Sequence, residues 1–135
     1  KAVLLNPDNV FNRLDAIKSR HYKNFGVPAG SDDSLYDVAL QWCDLVFTFF
    51  KILSEKEKSK NVIFHGHEWM VCPAILDIAH QKTPVKTVFT THATRLGRVL
   101  AVNMPNFYGK LSNAQTATLS VLLELVERFT FTVAQ

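Results

Sequence analysis

The pattern of apolar and polar positions divides the chain into short apolar runs and longer segments of helical period. Ala2–Asn6 is a brief apolar run closed by Asn-Pro-Asp and predicts a buried strand. Asn9–Phe25 is weakly helical, with Val10, Leu14 and Ile17 on one face, and Gly26–Asp33 follows as a loop. The strongest periodicity comes next. Leu35, Val38, Ala39, Trp42, Leu45, Val46, Phe49 and Leu53 recur at helical spacing and predict one wide apolar stripe on a helix from Ser34 to Ser54. Ser34 with Asp37 approximates a capping box at its start. Asn61–His65 predicts a second strand. Trp69–Gln81 predicts a helix with Pro73 in its first turn and Val71, Ala74, Ile75, Ile78 and Ala79 on its buried face. Val85–Thr91 predicts a third strand, Thr94–Val102 a short helix, and Asn103–Asn113 a loop. Thr116–Arg128 returns to helical spacing through Leu119, Leu122, Leu123 and Val126, and Phe129–Val133 predicts a fourth strand.

Strands separated by helices imply parallel strands joined by crossovers. The expected fold class is α/β, a Rossmann-like parallel sheet flanked by helices and covered on both faces, with right-handed crossovers. In open sheets of this kind ligands bind outside the carboxyl ends of the strands. His65 and His67 close one strand-like run and His92 follows another, so neighbouring strands would bring all three to one rim.

Length and composition narrow this without changing it. The 135 residues fit one domain, and 47% hydrophobic content with ten Phe supports a sizeable core. The net charge of +3 is spread among interleaved acids and bases. Ser54–Asn61 is the densest charge run and has mixed sign, so a nucleic-acid stripe is not supported. No secretory signal or long apolar span occurs, and no membrane partner is expected. Cys43 and Cys72 lie in apolar segments as expected free thiols, consistent with a reducing, cytoplasmic setting. The chain opens on Lys1 and closes on a strand-like run, which predicts a piece of a longer protein.

Within His65–Trp69, Gly66 is expected to turn the backbone after the strand and leave room for a ligand. His67 would then face the crevice, able to donate or accept a hydrogen bond. Glu68 fits a cap on the following helix, since acids favour the positive helix start. Trp69 either stacks on a ligand or packs against the sheet. His65, still within the strand, reads as a core histidine with a satisfied partner. The second candidate segment, Phe89–Arg98, sets Thr90, Thr91 and Thr94 around His92 and places Arg95 and Arg98 on the next helix. A metal reading would use His65, His67 and His92 as a metal-dependent hydrolase, but no His-Glu-x-x-His spacing accompanies them. Neither standard phosphate loop nor a nucleophile elbow is present, and no nucleophilic triad can be assigned.

The segments HGHEWMVCPAI (His65–Ile75), VKTVFTTHATRLGRVLA (Val85–Ala101) and NFYGKL (Asn106–Leu111) together resemble glycogen synthase of the animal and fungal type, in both order and spacing. The resemblance is specific over Lys60–Leu111 and weaker in the flanks. It implies the GT-B arrangement of two Rossmann-like domains across a cleft, with residues 1–135 as part of the N-terminal, acceptor-side domain. It implies transfer of glucose from a nucleotide sugar, UDP-glucose in most of the family, to an α-1,4-glucan with retention, using no metal and no covalent cofactor. The roles it implies are a catalytic position beside the donor sugar for His67, and substrate-binding positions for Thr91, His92 and Arg98; Glu68 and Trp69, next to His67, are further substrate-binding candidates from the residues themselves. The partners it implies are the nucleotide sugar, the glucan acceptor and a C-terminal Rossmann-like domain of the same protein, with room for a homo-oligomer. Arg95 stands where the family usually carries an apolar residue, and the family's glycine-rich loop and donor-binding domain are not in this chain. The isolated chain is therefore expected to be inactive. A non-enzymatic glycan-binding module is the remaining alternative.

Overall fold

A computed structural model describes residues 3–6, 10–29, 34–57, 61–94, 97–98, 101–102 and 106. The expected helix Thr116–Arg128 and strand Phe129–Val133 lie outside the described residues, as does most of the loop Asn103–Asn113. A 3-10 turn at Phe11–Arg13 leads into helix α1 (Leu14–Phe25), followed by α2 (Ser34–Lys56) and strand β1 (Val62–His67). A second 3-10 turn at Trp69–Val71 opens helix α3 (Cys72–His80), and strand β2 (Val85–Thr90) follows.

β1 and β2 pair in parallel, in register from Val62 opposite Val85 to His67 opposite Thr90. A parallel pair needs a crossover, and α3 supplies it. The result is the expected α/β, Rossmann-like arrangement of helices against a parallel sheet. Because side chains alternate along a strand, Phe64, Gly66, Val85 and Thr87 face inward and are buried. Ile63, His65 and His67 on β1 and Lys86 and Val88 on β2 lie on the other face and are exposed. Among the described residues the sheet is therefore covered on one face only, not on both as the pattern predicts.

The first apolar run departs further. Residues 3–6 form no strand, and Val3 and Leu4 are exposed. Only Leu5 packs against the core. A strand exists through its ladder, and the described sheet contains β1 and β2 alone.

α2 lies where its period places it, but its buried face is rotated. Tyr36, Ala39, Leu40, Cys43, Val46 and Phe47 point inward, while Leu35 and Val38, each 57% exposed, and Trp42 look outward. One apolar cluster joins Ile17, Val27, Tyr36, Leu40, Trp69, Cys72 and Leu76. A second joins Cys43, Val46, Phe47, Phe64, Ala74, Ile75, Ile78 and Val85. α3 contributes to both clusters, and every residue of Cys72–Ile78 is buried.

Charged groups stitch the three helices together beneath the apolar contacts. Arg20 donates to Asp44 Oδ1 at 2.7 Å and to Asp77 Oδ2 at 2.9 Å. His21 Nε2 lies 3.1 Å from the same Asp77 oxygen, and Arg13 reaches Asp44 at 3.2 Å. Asp77 has no solvent exposure. Burial alone would raise its pKa, but the hydrogen bond and charge of His21 and the charge of Arg20 outweigh that and hold it below the ordinary carboxylate value. α1 ends at Gly26, whose φ of 69° lets its N–H reach back to the Tyr22 carbonyl.

Candidate functional site

The parallel register brings the two histidine-bearing strand ends level. His67 is the last residue of β1 and pairs with Thr90, the last of β2, so His92 starts from the same rim. The side chains meet there. His65 and His67 share the exposed face with ring centroids 4.4 Å apart. His67 and His92 stack at 5.8 Å with 16° between their planes. His65 Nε2 and Thr90 Oγ1 share a hydrogen bond of 2.9 Å. His65 does have a polar partner, but it is an exposed residue of the rim and not a core histidine. An odd-numbered step along β1 separates it from buried Phe64, which fixes its face.

Among the described residues no group of three or more His, Cys, Asp and Glu side chains is arranged to hold a metal ion. The donor set His65, His67 and His92 therefore does not fit the metal-dependent hydrolase reading.

The turn after β1 is made by Glu68 and not by Gly66. Gly66 lies inside β1 on the buried face, where a Cβ would stand 2.5 Å from Val71 Cγ2. The space that glycine leaves is filled by Val71, so it serves helix–strand packing and not a ligand. Glu68 adopts φ 65° and ψ 169°, a region that is essentially glycine's own. Three hydrogen bonds hold it. Its N–H donates to the Thr90 carbonyl at 2.9 Å, and its carbonyl accepts from Val71 N–H at 3.2 Å. Its Oε1 accepts from the backbone N–H of His92 at 2.8 Å. Glu68 makes no side-chain cap on the following 3-10 turn; its carboxylate is turned instead across the strand ends. Nothing in the residue types signals this, because glutamate is not a residue that favours positive φ.

The sequence matches the family model described as glycogen synthase over residues 1–120. The chain belongs to the glycogen synthase family. It is 34% identical over 98 residues to the liver glycogen [starch] synthase of Rattus norvegicus, a match covering 73% of this chain and 14% of that one. It is 31% identical over 112 residues to glycogen [starch] synthase isoform 1 of Saccharomyces cerevisiae, covering 82% and 16%. Glycogen [starch] synthase of Neurospora crassa is 30% identical over 111 residues, with 82% and 16% covered. The chain thus spans 14–16% of the length of these curated relatives.

In this glycogen synthase family segment the remaining site candidates separate by position. Thr91 follows β2 directly and is half-buried, and His92 is exposed. Trp69 is 7% exposed and belongs to the apolar cluster with Ile17, Leu40 and Leu76. Its burial in that cluster accords with the packing reading of Trp69. Thr94 caps the turn that follows the second segment: its Oγ1 accepts from Gly97 N–H at 3.0 Å and its carbonyl from Arg98 N–H at 2.9 Å. Arg98 is exposed in that turn, and Arg95 lies outside the described residues. Behind the rim, the Cys43 thiol donates to the Met70 carbonyl at 3.0 Å. Burial drives its pKa well above the usual thiol value, so it is an inert packing group. Among the described residues no helix is long and apolar enough to cross a membrane.

Proposed function

We propose that this chain is part of a glucosyltransferase that extends an α-1,4-glucan from a nucleotide sugar, UDP-glucose being the donor. The chain forms part of the N-terminal, acceptor-side Rossmann-like domain and contributes one wall of the sugar cleft. The observation that carries the reading is the stack of His67 on His92 at the level carboxyl ends of β1 and β2, the edge at which parallel sheets bind ligands. His67 is the group beside the donor sugar. Its ring nitrogens can hydrogen-bond a sugar hydroxyl, and His92 and Thr91 line the same rim. Arg98 adds positive charge on the turn that follows, suited to a substrate bearing phosphates. Transfer proceeds with retention and without a metal, in a cytoplasmic setting. The second Rossmann-like domain supplies the remaining contacts to the nucleotide sugar, so the 135-residue chain by itself is inactive.

The test is transfer of labelled glucose from UDP-glucose to glycogen by the full-length protein. His67→Ala should lower turnover at least about tenfold, since a group contacting the reacting sugar acts most strongly in the transition state, and should leave the melting temperature unchanged. Wild-type turnover in that variant, or turnover by residues 1–135 alone, overturns the assignment.

A further inference from the structure

We infer that Glu68 is a positioning residue, which sets His92 against His67 through its backbone bond and does not itself contact substrate. The inference rests on the glucosyltransferase reading of the rim, but its evidence is separate. Glu68 is the residue just past the end of β1, and its φ of 65° and ψ of 169° are unfavourable for any residue but glycine. Such a conformation persists only where its surroundings over-determine it. Here its N–H is committed to Thr90, its carbonyl to Val71 and its Oε1 to His92. The carboxylate bond is the one that reaches past the end of β2. It ties the backbone of His92 to the end of β1 beyond the point where the ladder stops, and the His67–His92 stack lies beside that tie. An acceptor oxygen is what this role needs, and negative charge is incidental to it. Glycine would take the same backbone path without strain but could not make the tie. The strained glutamate therefore holds a loop in place at a cost to local stability.

The experiment compares Glu68→Gly and Glu68→Gln in the full-length protein, with His67→Ala beside them. Glu68→Gly should unfold at the same temperature or higher, because the strain is gone, while kcat/KM falls about tenfold as His92 loses its register. Hydrogen exchange in the peptide spanning residues 89–94 should speed up. Glu68→Gln keeps an amide oxygen for the His92 N–H, and should keep that protection and turnover within about threefold of wild type. Three results would overturn the inference. One is Glu68→Gly matching wild type in turnover and exchange. Another is Glu68→Gly losing activity only together with melting temperature, which marks a general structural role. The third is Glu68→Gln falling as far as Glu68→Gly with His92 protection intact, which marks a direct charge contact to substrate. Wild-type turnover in His67→Ala would instead remove the glucosyltransferase reading, and the exchange data would still decide whether Glu68 holds His92.

Discussion

The imidazole of His67 lies over that of His92, nearly parallel at 16° and 5.8 Å centre to centre. The first closes β1 and the second stands just past β2, so the contact exists only because the strands are parallel and in register. Residues in contact at one site do not contribute independently. In the full-length protein His67→Ala and His92→Ala should each lower kcat/KM by about tenfold or more, and the double variant should fall well short of the product of the two. Steady-state kinetics on the four proteins of that cycle measure the coupling. Multiplicative losses would mean that the two rings act at separate points.

The helix α2 shows how far periodicity carries. Its existence and extent, Ser34–Lys56, follow from the helical spacing, but its buried face does not. Apolar residues line most of its circumference, so the stripe through Leu35, Val38 and Trp42 and the one through Tyr36, Leu40, Cys43 and Phe47 are both self-consistent. The choice falls to partners distant in sequence, since Asp44 must face Arg20 and Arg13. Leu40, 1% exposed, should therefore cost about 2–5 kcal/mol when cut to Ala. Leu35, 57% exposed, should cost about 0.5 kcal/mol or less. Denaturant titration of the two variants checks this, and equal losses would put the predicted stripe back on the core side.

The site was legible to a similar depth. Two apolar runs each ending in His predicted one shared rim, and β1 and β2 are indeed neighbours. The roles within His65–Trp69 were not readable, because period two assigns faces only once the strand end is known. β1 runs on through Gly66 to His67, which puts Gly66 on the core face and His65 on the open one. Gly66→Ala should then cost about 1–3 kcal/mol, as its Cβ would meet Val71 Cγ2 at 2.5 Å. In a Val71→Ala background the same change should cost about half as much or less. An undiminished cost, measured by chemical unfolding, would locate the strain elsewhere than at Val71.

Asp77 gives the fold an acid-sensitive joint. From α3 it faces Arg20 and His21 of α1, and Arg20 in turn bridges to Asp44 of α2. Burial opposes its charge, but His21 and Arg20 more than compensate, so its folded pKa lies below the ordinary 3.8. A carboxylate depressed in this way adds stability at pH values above its unfolded pKa, and that stability is lost as pH falls through the folded value. Asp77→Asn keeps the shape but removes the buried negative charge that Arg20 and His21 face. At pH 7 it should destabilise the protein by about 3 kcal/mol, the usual loss when one partner of a buried pair is removed. As pH falls below the ordinary carboxylate value of 3.8 the unfolded chain takes up the proton first and folded Asp77 only at lower pH, so the gap between the two proteins should narrow. Urea unfolding at pH 7, 5 and 3 reads the difference directly. A gap that stays constant over that range would mean that Asp77 holds the helices by shape and hydrogen bonding alone, with no contribution from its charge.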